Sequence, residues 1–179
     1  MRRHAPALLL LLAAGCTDTA EGYPCPGTPV ALVAFSGPRS AADCGANAPA
    51  AAVNAIFPAT VAFTGTIAYA GSAAALCNIG PNAEPLVGTQ AADAIDVSLE
   101  TRGALLGACN PRCAVTVRQR LTGTLLRDTL GAPSGFDGTL TDTATIDASV
   151  SGADCTPCAT TPTTCQATYQ LTGVASGTR

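Results

Sequence analysis

Cysteines are the residues of this chain whose type and spacing most suggest chemistry. Cys109 and Cys113 enclose Asn-Pro-Arg, and Cys155 and Cys158 form a Cys-x-x-Cys pair that is followed by Cys165. Similar spacings occur in zinc sites and in thiol–disulfide exchange centres. Zinc binding would require reduced thiolates, and redox activity would require a βαβ unit around the pair. The flanking segments have β-type patterns instead, so structural disulfides are the favoured interpretation for an exported protein.

Carboxylates are the other groups that could act chemically, because the chain has no lysine and its only histidine is His4. Asp137, Asp142 and Asp147 are five residues apart, and an odd spacing places neighbours on opposite faces of a straight strand. We expect Asp142 on the inward, apolar face, where it would need a bulge, a strand edge or a partner such as an arginine. The other scattered carboxylates are Asp93, Asp96 and Glu100. Solvated faces and turns are the favoured interpretation, with a glycosidase-like pair or a calcium site as alternatives.

A short motif in the same region resembles the Asp-x-Asp-Gly-Thr motif of the haloacid dehalogenase phosphatases. Asp137, Gly138 and Thr139 match its second half, within GFDGTLTDTA at 135–144. The resemblance would imply an aspartyl-phosphate mechanism, but Gly135 stands where that family has its nucleophilic aspartate. The apolar strand that precedes the motif in the family is replaced by GAPS. We therefore interpret the segment as a strand that begins after a turn.

The N-terminus has the pattern of a secretory signal peptide. Arg2 and Arg3 are followed by the leucine run 8–12 and by small residues before Cys16, as in secreted proteins. The apolar run is much shorter than the ~20 residues of a membrane-spanning helix. The stretch LLLLLAAGC resembles the lipobox of bacterial lipoproteins, which implies diacylglycerol on Cys16 and cleavage directly before it. Ordinary secretion is the alternative, because Ala13 and Gly15 are also suitable for the general signal peptidase.

Lipidation of Cys16 would also account for the odd number of cysteines. Nine cysteines in an exported protein leave one thiol without a partner, and removing Cys16 leaves an even set. That set is Cys25, Cys44, Cys77, Cys109, Cys113, Cys155, Cys158 and Cys165. We expect four disulfides: Cys109–Cys113 would close a tight loop, and Cys155–Cys165 would close a hairpin. Cys158 would then pair with Cys25, Cys44 or Cys77, although eight cysteines permit 105 pairings and leave the connectivity open.

The lipobox resemblance also implies a location and one partner. In Gram-negative lipoproteins, an aspartate directly after the lipidated cysteine retains the protein in the inner membrane, and here that residue is Thr17. The expected location is therefore the cell envelope, at the outer membrane, with membrane lipid bound through acylated Cys16. Two or three acyl chains on one cysteine hold much more firmly than a single chain. We divide the chain into a signal peptide (1–15), a tether (16–29) and one β domain (30–179).

Composition narrows the remaining partners. Without Arg2 and Arg3, seven basic residues face twelve acidic ones, a net charge of −5 (7 − 12). With no lysine and no basic cluster, nucleic acid is a poor partner. Aromatic residues are only 4% of the chain, so a core of small side chains would gain stability from disulfides. No motif for a cofactor or metal is found, and the protein or ligand partner is not specified by the sequence.

Alternation of apolar residues with threonine dominates the chain after residue 60. Segments such as ATVAFTGTIAYAG, CAVTVRQRLTGTLL and GTLTDTATIDASVSG have one apolar and one polar face, as in an antiparallel sheet packed on one side. We predict an all-β fold, a sandwich or small barrel of six to eight strands. VALVAFS at 30–36 is a further strand, and 47–57 is a possible short helix. Gly65 and Gly123 lie on the apolar face, where a glycine often marks a bulge or sharp bend.

The favoured function is a lipid-anchored, non-enzymatic envelope module that binds a partner or has a structural role. Histidine and lysine are absent after residue 15, so no serine–histidine, cysteine–histidine or serine–lysine nucleophile can form. A hydrolase that uses carboxylates alone is the first alternative, and a cluster of aspartates in a pocket would favour it. A carrier of apolar ligands is the second alternative, and an empty apolar cavity would favour it. A filled core would favour the non-enzymatic module.

Overall fold

The computed structural model describes residues 24–44, 57–80, 83–104, 114–146 and 164–177, and within these ranges every regular element is a β-strand. There are eight strands in the described residues. They are β1 (Thr28–Asp43), β2 (Thr60–Ala70), β3 (Ala73–Cys77), β4 (Leu86–Ala91), β5 (Ala94–Ala104), β6 (Ala114–Arg127), β7 (Pro133–Ile146) and β8 (Thr164–Gly177). The predicted all-β class is confirmed. The short helix expected at 47–57 falls almost wholly outside the described residues.

The strands form a closed antiparallel barrel. Each strand pairs with its neighbour in sequence, and β8 pairs back onto β1, with Phe35 opposite Gly173. Of the two predicted architectures, the barrel is therefore the one adopted. Every strand is therefore paired on both sides, which covers most of the strand edges. Because β3 and β4 are short, β3 pairs only Thr66–Ala70 of β2 and β4 pairs only Ala94–Ser98 of β5.

The alternation in the sequence separates the inside of the barrel from the outside. In β1, Ala31, Val33 and Phe35 are buried, whereas Leu32 and Ala34 between them are exposed. Phe35 stacks on Phe63 with a centroid distance of 4.9 Å, and it meets the edge of Phe136 at 5.1 Å. Both rings contact Phe35, so three of the few aromatic residues pack together in a core that otherwise consists mainly of aliphatic and alanine side chains.

Glycines make room for one of these rings. Gly123 in β6 lies opposite Gly138 in β7. A Cβ atom on Gly123 would lie 2.4 Å from Cζ of Phe136 and 2.5 Å from the carbonyl oxygen of Asp137. The strand register runs through Gly123 and Gly65 without a shift. The bulge expected at these glycines is therefore not formed, because their role is to allow close approach of a neighbouring side chain and strand.

The two ends of the barrel differ. At one end, which we call the turn end, the strands are joined by the short connections 71–72, 92–93 and 128–132. At the other end, which we call the loop end, the connections are 44–59, 78–85, 105–113 and 147–163. Strand β1 starts at the turn end, so the chain enters the barrel there.

The segment before β1 is fixed to the outer wall of the barrel. Cys25 forms a disulfide with Cys77 at the end of β3. A Cβ atom on Gly27 would lie only 2.7 Å from the carbonyl oxygen of Tyr69, which shows how closely the segment approaches β2. The outward-facing Ala68 and Ala75, paired between β2 and β3, are almost fully buried. The fixed part of the chain therefore begins before residue 30, within the segment expected to be tether.

Candidate functional site

The barrel mouth at the loop end is closed by side chains that reach inward from β1 and β8. Arg39 Nη1 donates a hydrogen bond to the carbonyl oxygen of Phe57 at 2.6 Å, and the hydroxyl of Tyr169 donates to the carbonyl oxygen of Pro58 at 3.1 Å. Phe57 itself is only 4% exposed. The residues before β2 are therefore held over the mouth, with the phenylalanine ring as part of the core.

At the loop end of the barrel, a disulfide joins the first strand to the last. Cys44, directly after β1, is bonded to Cys165 in β8, where register places Asp43 opposite Gln166. The expected Cys155–Cys165 pairing is therefore wrong, since barrel closure brings Cys165 next to a residue 121 positions earlier.

The second disulfide corrects a further part of the expected connectivity. Cys25, Cys44 and Cys77 are all used by the two observed bridges, so the expected pairing of Cys158 with one of them is also wrong. Cys109, Cys113, Cys155 and Cys158 lie outside the described residues, as do Cys16 and the signal peptide. Pairing of Cys109 with Cys113 stays a prediction.

A cleft of about 440 Å³ opens at the loop end beside β5. Its walls combine apolar, acidic and basic side chains. The lining residues are Ile79, Ala83, Glu84, Leu99, Glu100, Thr101, Arg102 and Gln119. An exposed carboxylate at Glu84 and one at Glu100 face the same cleft as the guanidinium of Arg102. Such a surface suits a ligand or a protein loop that has both an apolar part and polar groups.

Asp142 lies inside the barrel below this cleft. It is opposite Gln119 in β6 and Ala167 in β8, and Gln119 Nε2 donates a hydrogen bond to Asp142 Oδ1 at 3.2 Å. The predicted inward position is confirmed, but the partner is an amide and not an arginine, and the register is continuous there. Burial raises the pKa of the Asp142 carboxyl, and the hydrogen bond from Gln119 opposes this shift. The same carboxyl contributes to the raised pKa of Tyr169, after burial of the phenol.

Asp93, Asp96 and Asp137 are dispersed on the outer surface of the barrel, and Asp147 lies outside the described residues. Asp96 receives hydrogen bonds from Nε and Nη2 of Arg120 at 2.8 and 2.6 Å, and this arginine lowers the pKa of the Asp96 carboxyl. Asp93 forms an ion pair with Arg127 at 2.8 Å. Asp137 is exposed, on the face opposite to Asp142. Within the described ranges, no three histidine, cysteine or carboxylate side chains are grouped to hold a metal ion.

The phosphatase-like motif is part of an ordinary antiparallel strand. Asp137, Gly138 and Thr139 lie within β7, paired with Thr172, Leu171 and Gln170 of β8. A phosphatase of that family requires a parallel strand that ends at the motif, so the strand interpretation made from the sequence is the correct one.

The sequence did not identify the residues that lie at the barrel mouth or those that line the cleft. Arg39, Phe57 and Tyr169 are 18 and more residues apart, and Glu84 and Arg102 come from different segments. Arg39 and Tyr169 meet because β8 pairs with β1, and the cleft residues meet through the pairing of β4, β5 and β6. Alternation of apolar residues does not specify the register of either pairing. The inward position of Asp142 was the one local signal available.

Comparisons with known proteins return no match: no family model fits the chain, and no curated protein or solved structure is similar to it. The class is therefore defined by the fold alone, as an eight-stranded up-and-down β-barrel with a filled interior and a cleft at one end. Among the described residues there is no helix long and apolar enough to cross a membrane.

Proposed function

We propose that this protein is a lipid-anchored cell-envelope module without catalytic function, which binds a partner at the loop end of its barrel. In this proposal, acylated Cys16 anchors the protein in the outer membrane, and the lipobox resemblance with Thr17 after the cysteine supports this. The observation that carries the binding role is the asymmetry of the barrel: its long connections and its cleft are at the end opposite to the point where the chain enters.

The filled interior favours this function over an apolar-ligand carrier. An eight-stranded barrel has an interior that side chains can fill or that can hold one small ligand. Here the rings of Phe35, Phe63 and Phe136 meet in the centre, and Phe57 is buried at the mouth. Side chains therefore occupy the space that a carrier would keep for its ligand.

The direction of the chain supports display of the loop end. The tether is fixed at Cys25 by the bridge to Cys77, which strand register places in the same row as Leu32, near the start of β1. In the proposed arrangement a membrane anchor at Cys16 therefore has the turn end towards the lipid and the loop end towards the aqueous side. Polar residues on the outer wall between the two ends, such as Thr141, Arg118 and Gln170, suit contact with water. The cleft beside Glu100 and Arg102 is then the accessible recognition surface.

Site-specific photo-crosslinking in intact cells tests the proposal. A photoreactive residue at Glu84, on the cleft, should give a discrete adduct, because this position faces the partner. The matched control is the same residue at Thr172, which is exposed in the middle of the outer wall. Intact-mass analysis of the same preparations should show acyl chains on Cys16. Equal adducts at both positions, or none at Glu84, would refute loop-end recognition, and a free Cys16 thiol would refute the anchor.

A carboxylate-dependent hydrolase is the second candidate, and the burial of Asp142 is the observation that favours it. A carboxyl whose pKa is raised can act as a general acid near neutral pH, and Gln119 connects Asp142 to the cleft. Asp142→Asn separates the two proposals. Loss of turnover on a glycoside substrate with an unchanged fold would support the hydrolase, whereas unchanged crosslinking from Glu84 would support the binding module.

A further inference from the structure

The outer wall of the barrel carries an apolar patch at the turn end. We call it the apolar rim, and it consists of Leu32, Ala34, Leu126, Leu130, Gly135 and Val174. Strand register places Leu126 opposite Gly135, Gly135 opposite Val174 and Val174 opposite Ala34. The side chain of Leu126 extends over Gly135, since its Cδ1 lies 3.5 Å from where a Cβ atom of that glycine would be. The patch is therefore continuous across four strands.

The rim differs from the adjoining rows of the same four strands. The next outward row towards the loop end is Thr124, Asp137, Thr172 and Ser36, and the row after it contains Thr122, Thr139 and Gln170. The apolar side chains of the rim are well exposed, with Val174 at 75% and Leu130 at 91%. The wall thus changes from polar to apolar within one row of residues.

Leu130 is held outward by a turn that does not depend on it. Asp128 Oδ1 accepts hydrogen bonds from the backbone nitrogens of Leu130 and Ala132, both at 2.9 Å, and Gly131 adopts a positive φ of 82°. Aspartate and glycine therefore determine the turn. The leucine at its tip is not required by the turn, and its side chain is available for contact with something outside the barrel.

We propose that the apolar rim rests on the surface of the lipid bilayer, so that the anchored protein stands on its turn end. This inference depends on the proposed anchor at Cys16. Cys25 is nine positions after Cys16 and is fixed to the wall through Cys77, which strand register places in the same row as Leu32 of the rim, through Thr66. Nine residue steps span at most about 32 Å. A 14-residue strand such as β6 is about 47 Å long at 3.3–3.4 Å per residue, so the tether is shorter than the longer strands.

The charge of the rim suits a zwitterionic lipid surface. The nearest charged groups at the turn end are Arg127, which is paired with Asp93, and Asp128, which is engaged in the turn. The chain has no lysine, and the expected mature chain has a net charge of −5 (7 − 12). Contact of the rim with the bilayer is therefore not driven by attraction to anionic lipid. It is driven by burial of apolar surface at the level of the lipid headgroups.

A single-tryptophan reporter tests the inference, because the chain has no tryptophan. The acylated full chain with Leu130→Trp is inserted into phosphatidylcholine vesicles with brominated acyl chains. We expect its emission to shift to shorter wavelength and to be quenched several-fold more than that of the control Gln166→Trp, which is exposed at the loop end. Adding Leu126→Ser and Val174→Ser to the reporter chain should reverse the shift and the quenching.

The outcomes distinguish the rim from the anchor. Equal quenching of the two reporters in a chain whose mass shows acylation would overturn the rim contact and leave the anchor intact. A chain without acyl groups would overturn the anchor and, with it, this inference. A shift of the Leu130→Trp reporter without vesicles, together with a doubled mass in sedimentation, would show that a second copy covers the rim and would also overturn the proposal.

Discussion

Substitution of Gly123 by alanine tests whether the glycines of the barrel wall are required by packing. The added Cβ would lie 2.4 Å from Phe136 Cζ and 2.5 Å from the carbonyl oxygen of Asp137. Overpacking a well-filled core costs about 1–3 kcal/mol, and because one clash is with backbone, the upper half of that range applies. The lower backbone entropy of alanine in the unfolded chain offsets about 0.5–1 kcal/mol.

The expected net loss for Gly123→Ala is about 1–2.5 kcal/mol, a sizeable part of the 5–15 kcal/mol that stabilises a typical domain. Urea unfolding followed by circular dichroism should show a lower midpoint and an unchanged slope. In a Phe136→Leu background the cost of Gly123→Ala should be smaller, since the ring contact is removed. It should not vanish, because the contact with the Asp137 carbonyl is still present.

Gly80→Ala is the matched control. Among the described residues, a Cβ atom on Gly80 would meet the Cβ of Ala83, at the ordinary contact distance of 3.8 Å, so the effect of Gly80→Ala should stay within about 0.5 kcal/mol. If Gly123→Ala proves no more destabilising than Gly80→Ala, or if Phe136→Leu leaves its cost unchanged, the packing role of Gly123 is wrong.

Three further predictions concern the carboxyl in the barrel, a disulfide and the anchor. The pKa of the Asp142 carboxyl is raised from 3.8 in the folded protein, so the contribution of this group to stability is complete below pH 3.8 and is lost as the pH rises through the folded-state pKa. The urea midpoint should therefore fall over this pH range, and Asp142→Asn should make that fall smaller. Identical pH profiles of the urea midpoint in the two proteins would contradict the prediction. Replacing Cys44 and Cys165 by alanine opens a loop of 121 residues. It should lower the free energy of unfolding, measured in urea, by about 5 kcal/mol. A loss below about 1 kcal/mol would show that the bridge does not constrain the unfolded chain. Cys16→Ser should remove the acyl mass and release the protein from the membrane fraction, and an unmodified thiol in the natural protein would show that no lipid is attached.

Fold class was predictable because alternation of apolar and threonine residues is a local property. Two examples are the runs from Val61 to Tyr69 and from Leu140 to Ala144. In each, the alternation indicates which face of the strand is buried, and that face lies inside the barrel. Alternation does not show which strand pairs with which, so a sandwich and a barrel were equally compatible with the sequence. The pairing of β8 with β1 distinguishes them. The predicted inward position of Asp142 was correct for the same local reason.

Features that depend on closure could not be predicted. Cys165 was assigned to Cys155 because the two are close in sequence, whereas the observed partner, Cys44, is brought near only by pairing of the first and last strands. Gln119 as the partner of Asp142 likewise depends on the register between β6 and β7. The glycine in LTGTL was expected to mark a bulge or a sharp bend; the bulge is not formed, and the close approach of the Phe136 ring to this glycine depends on the pairing of β6 with β7.

The Cys25–Cys77 disulfide also determines how the barrel bears mechanical load. Tension applied along residues 16–24 reaches the covalent bond first and passes to β3, so that the stretch from Cys25 to the start of β1 is relieved. β3 has five residues and is held between β2 and β4, so its short ladders resist the pull. After reduction of this bond, the same force would act on Thr28 and would peel β1 from its turn-end terminus. The redox state of one bridge therefore selects which strand yields first when the segment 16–24 is pulled.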